Sequence, residues 1–162
     1  MDLDTEKILK RLEDYISYNT QSDEENDQVY PSTPGQMVLA RHLKEELEQL
    51  GLQEVSLDEN GYVMATLPAN GAEGSVVGFI SHMDTSPDAP GGPIHSRVVH
   101  DYDGKDICLN KEKNIVLSTK DFPEILKYKG QDIIVTDGTT LLGADDLSLI
   151  HISEPTRLRC IS

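Results

Sequence analysis

The stretch V-V-G-F-I-S-H-M-D-T-S-P-D, residues 76–88, decides the fold class. Its first five residues form an unbroken apolar run of the kind that a strand buried on both faces needs. Polar residues follow at once, and Thr85-Ser86-Pro87-Asp88 is a turn-forming sequence. A buried strand that ends in a polar loop is typical of an α/β sheet packed by helices, in which ligands bind beyond the carboxyl ends of the strands.

His82 and Asp84 stand at the end of this predicted strand. Side chains alternate faces in an extended segment, so the imidazole and the carboxylate are predicted to project to the same side. A neutral imidazole suits zinc, and a ligating histidine nearly always donates its other ring N–H to a carboxylate or carbonyl. The triplet alone also fits a structural histidine whose hydrogen bonds are satisfied.

The rest of the chain contains recognisable helix, hairpin and strand signals. Helices are predicted over residues 4–18 and from Pro34 to Gly51, the second with Thr33 as its N-terminal cap. Asn60-Gly61 predicts a β-hairpin. Shorter signals predict strands at residues 97–99, 115–117 and 132–136, a short helix at 123–129 and a surface loop at 21–30.

Composition excludes several classes of function. The chain of 162 residues carries 29 acids against 14 bases, a formal charge of −15, and would repel a nucleic-acid backbone. No apolar run approaches the roughly 20 residues of a membrane helix. The acidic start M-D-L-D-T-E-K does not resemble a secretory signal, so a cytoplasmic location is predicted. Cys108 and Cys160 predict neither a disulfide framework nor a zinc knuckle.

A second polar motif, G-A-D-D at residues 143–146, places two carboxylates side by side. Adjacent carboxylates repel each other unless they are exposed or lie near a cation. A solvated acidic loop explains the motif by itself. Only together with His82 and Asp84, about sixty residues earlier, do Asp145 and Asp146 suggest a metal site built from carboxylates and histidine.

Several blocks in their order and spacing resemble the peptidase T family of tripeptide aminopeptidases, over roughly residues 5–146. The similar blocks are P-S-T-P-G-Q, L-K-E-E-L-E-Q-L-G-L, M-A-T-L-P-A-N, G-F-I-S-H-M-D-T-S-P-D and T-D-G-T-T-L-L-G-A-D-D. The T-S-P-D extension distinguishes this family from the related carboxypeptidases and deacylases of the same dizinc superfamily.

The resemblance implies a fold, a reaction and site residues. The chain would be the truncated N-terminal part of a dizinc exopeptidase catalytic domain, a mixed sheet packed by helices, from a cytoplasmic enzyme that cleaves short peptides and whose full-length relatives can homodimerise. His82 would bind one of two zinc ions, Asp145 would bridge both, and Asp84 would be the catalytic acid that orients His82. The glutamate base, a further aspartate ligand and a distant histidine of the family are missing, so this chain is expected to be inactive.

The last sixteen residues depart from the family. Relatives continue G-A-D-D with Lys, a small residue and Gly, whereas this chain reads L-S-L-I-H-I-S-E-P-T-R-L-R-C-I-S. That string resembles one reading frame of a transposon-based sequencing adaptor. We therefore interpret residues 1–146 as a partial zinc-peptidase domain and residues 147–162 as a non-native tail.

Two alternatives stay open at this point. A related dizinc carboxypeptidase or deacylase would share the H-x-D triplet and the bridging acid, but not the T-S-P-D extension. A non-catalytic acidic module could hold one metal ion weakly through His82 and Asp145. The sequence that naturally follows Asp146 distinguishes the module from the enzyme.

Overall fold

The structure of the chain is a computed structural model that describes residues 5–71 and 74–143. In chain order its elements are α1 (Thr5–Ile16), α2 (Pro34–Gln49), β1 (Gln53–Leu57), β2 (Val63–Thr66), β3 (Ser96–Val99), β4 (Ile107–Asn110), β5 (Ile115–Leu117), a 3₁₀ helix (Pro123–Tyr128) and β6 (Ile133–Thr136). Within these two ranges no helix has the length and apolar character needed to cross a membrane.

The two α-helices form the main core. Apolar residues recur at helical spacing along α1, and its Leu12, Tyr15 and Ile16 are buried against Leu39 and Leu43 of α2. Each fully buried large apolar side chain contributes about 1.5–3 kcal/mol relative to exposure. This packing confirms the prediction of two amphipathic helices.

The ends of α2 confirm one prediction and correct another. Pro34 occupies the first turn, and the helix is followed by Gly51, whose φ of 80° favours glycine. Thr33 does not cap the helix, because its hydroxyl donates instead to the backbone oxygen of Gln21 at 2.9 Å. The predicted cap was therefore wrong, and the hydroxyl anchors the preceding loop.

The β-structure consists of three antiparallel pairs, β1 with β2, β3 with β6, and β4 with β5. The first pair is the predicted hairpin, with Gly61 at a φ of 87° in its turn. The sequence analysis missed β4, a four-residue strand between turns. Beside the helices these pairs make a mixed α/β structure, but in the described part of the chain they do not join into the single sheet that was predicted.

The strands after residue 95 enclose a second, smaller core. Tyr102, Ile107 and Val135 are buried there, and Leu109 and Ile125 pack against them. The 3₁₀ helix lies where a short helix was predicted, between β5 and β6. Because β3 and β6 pair directly, they bring together the two ends of residues 96–136, the 96–136 unit. Ile134 of β6 also packs against the helix core.

Residues 76–80 are not the buried strand that the sequence predicted. Val76 is 99% exposed and Ile80 is 94% exposed, and no strand is formed across the run. A strand needs the backbone of a partner, and none of the described residues supplies one here. Residues 76–80 are apolar, as a buried strand requires, but an apolar composition cannot show whether a second strand lies beside them.

Candidate functional site

His82 and Asp84 face each other, as the alternation of side chains predicted. His82 Nδ1 lies 3.1 Å from Asp84 Oδ1 and 2.9 Å from the backbone oxygen of Asp84. The side chains are half-exposed, at 56% for His82 and 45% for Asp84. The pair is therefore formed at a surface that a ligand could reach.

The two oxygens around Nδ1 determine which tautomer the neutral ring adopts. A carbonyl oxygen and a carboxylate oxygen only accept hydrogen bonds, so Nδ1 must carry the proton that they share. In a neutral imidazole the other nitrogen, Nε2, then carries the lone pair. This is the form in which a histidine binds a metal while a carboxylate orients it.

Asp84 is held from its other side by a serine that the sequence analysis did not single out. Ser22 Oγ donates to Asp84 Oδ2 at 2.5 Å. Gln36, on the first turn of α2, donates through Nε2 to Ser22 Oγ at 3.1 Å and to the backbone oxygen of Thr20 at 3.2 Å. The Gln36 side chain is buried, so this contact connects the helix core to the site.

The backbone of residues 20–22 lies alongside the site segment. Thr85 N donates to Thr20 O at 3.2 Å, and Ser22 N donates to Thr85 O at 2.9 Å, which makes a parallel bridge between Gln21 and Thr85. Thr20 and Thr85 are both buried. The site segment is therefore fixed by a strand-like contact with the loop that follows α1.

Gln21 fixes the turn that comes after the site. Its Nε2 donates to the backbone oxygens of Pro87 at 3.3 Å and Ala89 at 3.1 Å, and its Oε1 accepts from Gly91 N at 3.2 Å. A Cβ at Gly91 would overlap the Gln21 side chain, so glycine is required for this approach. One side chain thus orders the T-S-P-D turn and the residues beyond it.

The segment that leads to G-A-D-D is ordered by a local turn. Thr139 donates to Asp137 Oδ1 from its hydroxyl at 2.6 Å and from its backbone N–H at 2.9 Å. These hydrogen bonds lower the pKa of Asp137 below its ordinary value. Asp145, the predicted bridging ligand, and Asp146 lie outside the described residues.

Two further histidines of the described ranges, His42 and His100, have carboxylate partners other than Asp84. His42 Nε2 lies 2.8 Å from Asp14 Oδ2, between the helices, and His100 Nδ1 lies 2.7 Å from Asp132 Oδ2, beside β3 and β6. Residues 5–71 and 74–143 contain no group of three or more His, Cys, Asp or Glu side chains arranged to hold a metal. The donor chemistry of His82 and Asp84 fits one metal ligand with its orienting acid, and further ligands would have to come from elsewhere.

The sequence analysis missed Ser22, Gln36 and Gln21. Ser22 contacts Asp84, 62 residues away, and Gln21 contacts Ala89 and Gly91, up to 70 residues away. The available signal was weak. Gln36 is a polar residue on the buried side of α2, and buried polar groups are normally hydrogen-bonded to something specific. The partner could not be identified from the sequence.

Comparison with known proteins identifies the class of enzyme to which the chain is similar. It is 60% identical over 140 residues to a protein of Clostridium botulinum (strain Hall), a match that covers 86% of this chain and 34% of that protein. It is 59% identical over 143 residues to a protein of Clostridium acetobutylicum, covering 87% of this chain and 35% of that protein. Both relatives are peptidases.

Both relatives are named peptidase T. The chain is thus a homologue of peptidase T over most of its own length, and the resemblance found in the sequence is confirmed. It spans about a third of the length of these relatives. No family model matches the chain.

Proposed function

We propose that this chain is the N-terminal part of a zinc-dependent aminopeptidase that releases the N-terminal residue of tripeptides. The observation that carries the proposal is the contact between His82 Nδ1 and Asp84, in a chain 60% identical to a peptidase T. The identity supports the peptidase class, and the ring geometry supports a metal ligand at Nε2.

The residues of this chain would have separate roles. His82 would present Nε2 to one zinc ion, and Asp84 would hold the ring in the tautomer that places the lone pair on Nε2. Asp145 would bridge the two metal positions. When bound, two zinc ions would supply an activated water and a Lewis acid for the scissile carbonyl.

Asp84 has two oxygens with different partners, which suits an orienting acid. Oδ1 lies toward His82 and Oδ2 accepts from Ser22, so rotation of the carboxylate breaks one of the two contacts. A fixed carboxylate keeps the imidazole plane fixed in turn. Geometry of this kind matters because small displacements of reacting groups reduce rates strongly.

The remaining parts of the proposal concern the chain as a whole. We propose a cytoplasmic enzyme acting on short peptides, with homodimers in its full-length form and no nucleic-acid or membrane partner. The 162-residue chain is proposed to be inactive, because the sequence after G-A-D-D does not contain the glutamate base that the family resemblance implies. Residues 147–162 are proposed to be a non-native tail.

The test uses the extended protein, defined as the product of the source gene read through codon 146 to its stop codon. It is assayed with trialanine, with N-acetyl-trialanine and with trialanine amide. We expect release of free alanine from the first and third substrates and no cleavage of the N-acetylated one. EDTA is expected to abolish activity, and added zinc is expected to restore it.

Matched variants connect the assay to the site. His82→Ala is expected to abolish activity, whereas His100→Gln, which changes an exposed histidine beside β3, is expected to leave it unchanged. Cleavage of the N-acetylated substrate from its C-terminus would instead support a related carboxypeptidase. Zinc binding without any hydrolysis would support a non-catalytic module and contradict the proposal.

A further inference from the structure

Ser22 stands between the buried core and the proposed catalytic acid. Its hydroxyl has one proton and can accept from other donors. The Gln36 amide donates to it from the helix side, and Asp84 accepts from it on the site side. Ser22 therefore connects a buried residue of α2 to a carboxylate that is 45% exposed.

The direction of each hydrogen bond in this series is fixed by its neighbours. Gln36 faces two oxygens, the Thr20 carbonyl and Ser22 Oγ, so the amide must point its NH₂ group toward them. Ser22 Oγ accepts a hydrogen bond from this amide and donates one through its own proton to Asp84 Oδ2. Asp84 Oδ1 is then left to accept from His82 Nδ1.

The position of Gln36 is rigid for reasons unrelated to the site. It lies on the first turn of α2, is 5% exposed, and its amide also binds the carbonyl of Thr20, which accepts from Thr85 N as well. Leu39 and Ala40, which follow in the helix, are fully buried. Side chains that are locked by packing and hydrogen bonds hold a site more precisely than flexible ones.

We propose that Ser22, held by Gln36, is a positioning residue that fixes the Asp84 carboxylate, which together with the backbone oxygen of Asp84 selects the Nδ1–H tautomer of His82. This role rests on the proposed function, because the tautomer matters for the reaction only if His82 binds a metal. The geometric claim can be tested separately, in the 162-residue chain without metal. Ser22 touches neither substrate nor metal in this account and acts only through Asp84.

The experiment measures the ring nitrogens of His82 by two-dimensional ¹H–¹⁵N NMR of the 162-residue chain, at about pH 8.5, a pH above the reference histidine pKa of about 6.5. His82→Gln assigns the signals. In the wild-type chain we expect a protonated Nδ1 and an unprotonated Nε2. In Ser22→Ala we expect both nitrogens to move part of the way toward the average of the two tautomers, since Asp84 Oδ1 can then turn away from Nδ1 while the backbone oxygen of Asp84 still accepts from it.

Three further variants decide whether the hydroxyl is responsible. Ser22→Thr keeps the donor and is expected to restore the wild-type signals. Gln36→Leu removes the donor behind Ser22 and is expected to give a smaller shift in the same direction as Ser22→Ala. Ser32→Ala removes a hydroxyl from the same loop, one that accepts from Asp23 N, and is expected to change nothing at His82.

Wild-type His82 signals in Ser22→Ala would overturn the proposal, as would equal shifts in Ser22→Thr and Ser22→Ala. If Ser22→Ala does not fold, judged by the methyl signals of Leu39 and Leu43, Ser22→Cys replaces it with the same expectation, because a thiol is a weak donor. An inactive extended protein would contradict the proposed function while leaving this result intact, so the two failures are distinguishable.

Discussion

Residues 76–80 and 81–85 follow each other directly in the chain, yet their surroundings in the structure are opposite. The apolar first segment is exposed and forms no strand, while the polar second segment is bound through Thr85 and Asp84 to the loop after α1. The difference lies in where the partners are. Residues 20–22 and Gln36 are present for the second segment, whereas the described residues contain no strand beside the first. Burial thus depends on available partners more than on apolar composition.

The largest effect is expected in residues 81–85, the segment that is bound to the loop after α1. In the extended protein, Asp84→Asn should lower kcat/KM for trialanine by about 10²- to 10⁴-fold, the usual range for loss of a positioned catalytic acid or base. Asp103→Asn is the matched control, since Asp103 is an exposed carboxylate of the 96–136 unit that pairs with Lys105 and has no contact with His82 or Asp84 among those the structure describes. Equal activity of Asp84→Asn and wild type would remove Asp84 from the mechanism.

The next prediction compares two isoleucines with opposite burial. Ile16→Ala in the helix core should lower the free energy of unfolding of the 162-residue chain by about 2–5 kcal/mol, because it leaves a cavity. Ile80→Ala should change it by less than about 0.5 kcal/mol, as expected for an exposed site. Urea unfolding followed by circular dichroism measures both. A large loss in Ile80→Ala would show that residues 76–80 are packed in solution.

Limited proteolysis tests whether the backbone of residues 76–80 is accessible. Phe79 and Tyr128 have similar exposure, 52% and 50%, but the backbone oxygen of Tyr128 accepts from Gln131 N in a turn. Proteases need a locally extended, unpaired backbone. Chymotrypsin should therefore cleave after Phe79 before it cleaves after Tyr128, with fragments identified by mass spectrometry. The reverse order would contradict the unpaired state of residues 76–80.

The smallest effect is a pH dependence in the 96–136 unit. Hydrogen bonds from the backbone N–H and hydroxyl of Thr119 lower the pKa of Asp106 in the folded chain. A lowered folded-state pKa stabilises the fold at pH values above the unfolded pKa, and this stabilisation is lost as pH falls through the folded pKa. Asp106→Asn should therefore reduce the loss of stability between neutral and acidic pH.

Urea midpoints of the wild type and Asp106→Asn at about pH 7 and about pH 3 measure this difference, with the interval chosen to cross the ordinary carboxyl pKa. Asp132, whose pKa is lowered by its bonds from Asp101 N and His100, should contribute in the same direction. An identical pH dependence in wild type and Asp106→Asn would contradict the role of the Thr119 contacts.

The parts of the fold that the sequence predicted well are those decided by neighbours in the chain. Both helices, the Asn60-Gly61 hairpin and the 3₁₀ helix depend on spacing, capping and turn residues within a few positions. The misplaced cap at Thr33 shows the limit even there, because its hydroxyl had a competing acceptor twelve residues away. Pairing across long separations was not predictable, as residues 76–80 illustrate.

The candidate site divides in the same way. The His82–Asp84 contact was predicted from the alternation of side chains two positions apart. Ser22 and Gln36 were missed. Ser22 is a serine in an acidic loop, and its sequence neighbours do not indicate that it contacts Asp84, 62 residues later. Gln36 is a glutamine at a helix start, and its sequence neighbours do not indicate that it holds Ser22. Asp145 lies outside the described residues, so its role as a bridging ligand stays a prediction.

The proposed role of His82 and Asp84, as one part of a dizinc peptidase centre that residues beyond Gly143 complete, depends on the natural sequence after Asp146. Sequencing the source DNA across codon 146 tests it most directly. We predict that the natural frame continues G-A-D-D with Lys, a small residue and Gly, and then encodes a downstream Glu-Glu pair. A genome that itself encodes L-S-L-I-H-I-S-E-P-T-R and then stops would contradict the claim and favour a non-catalytic module.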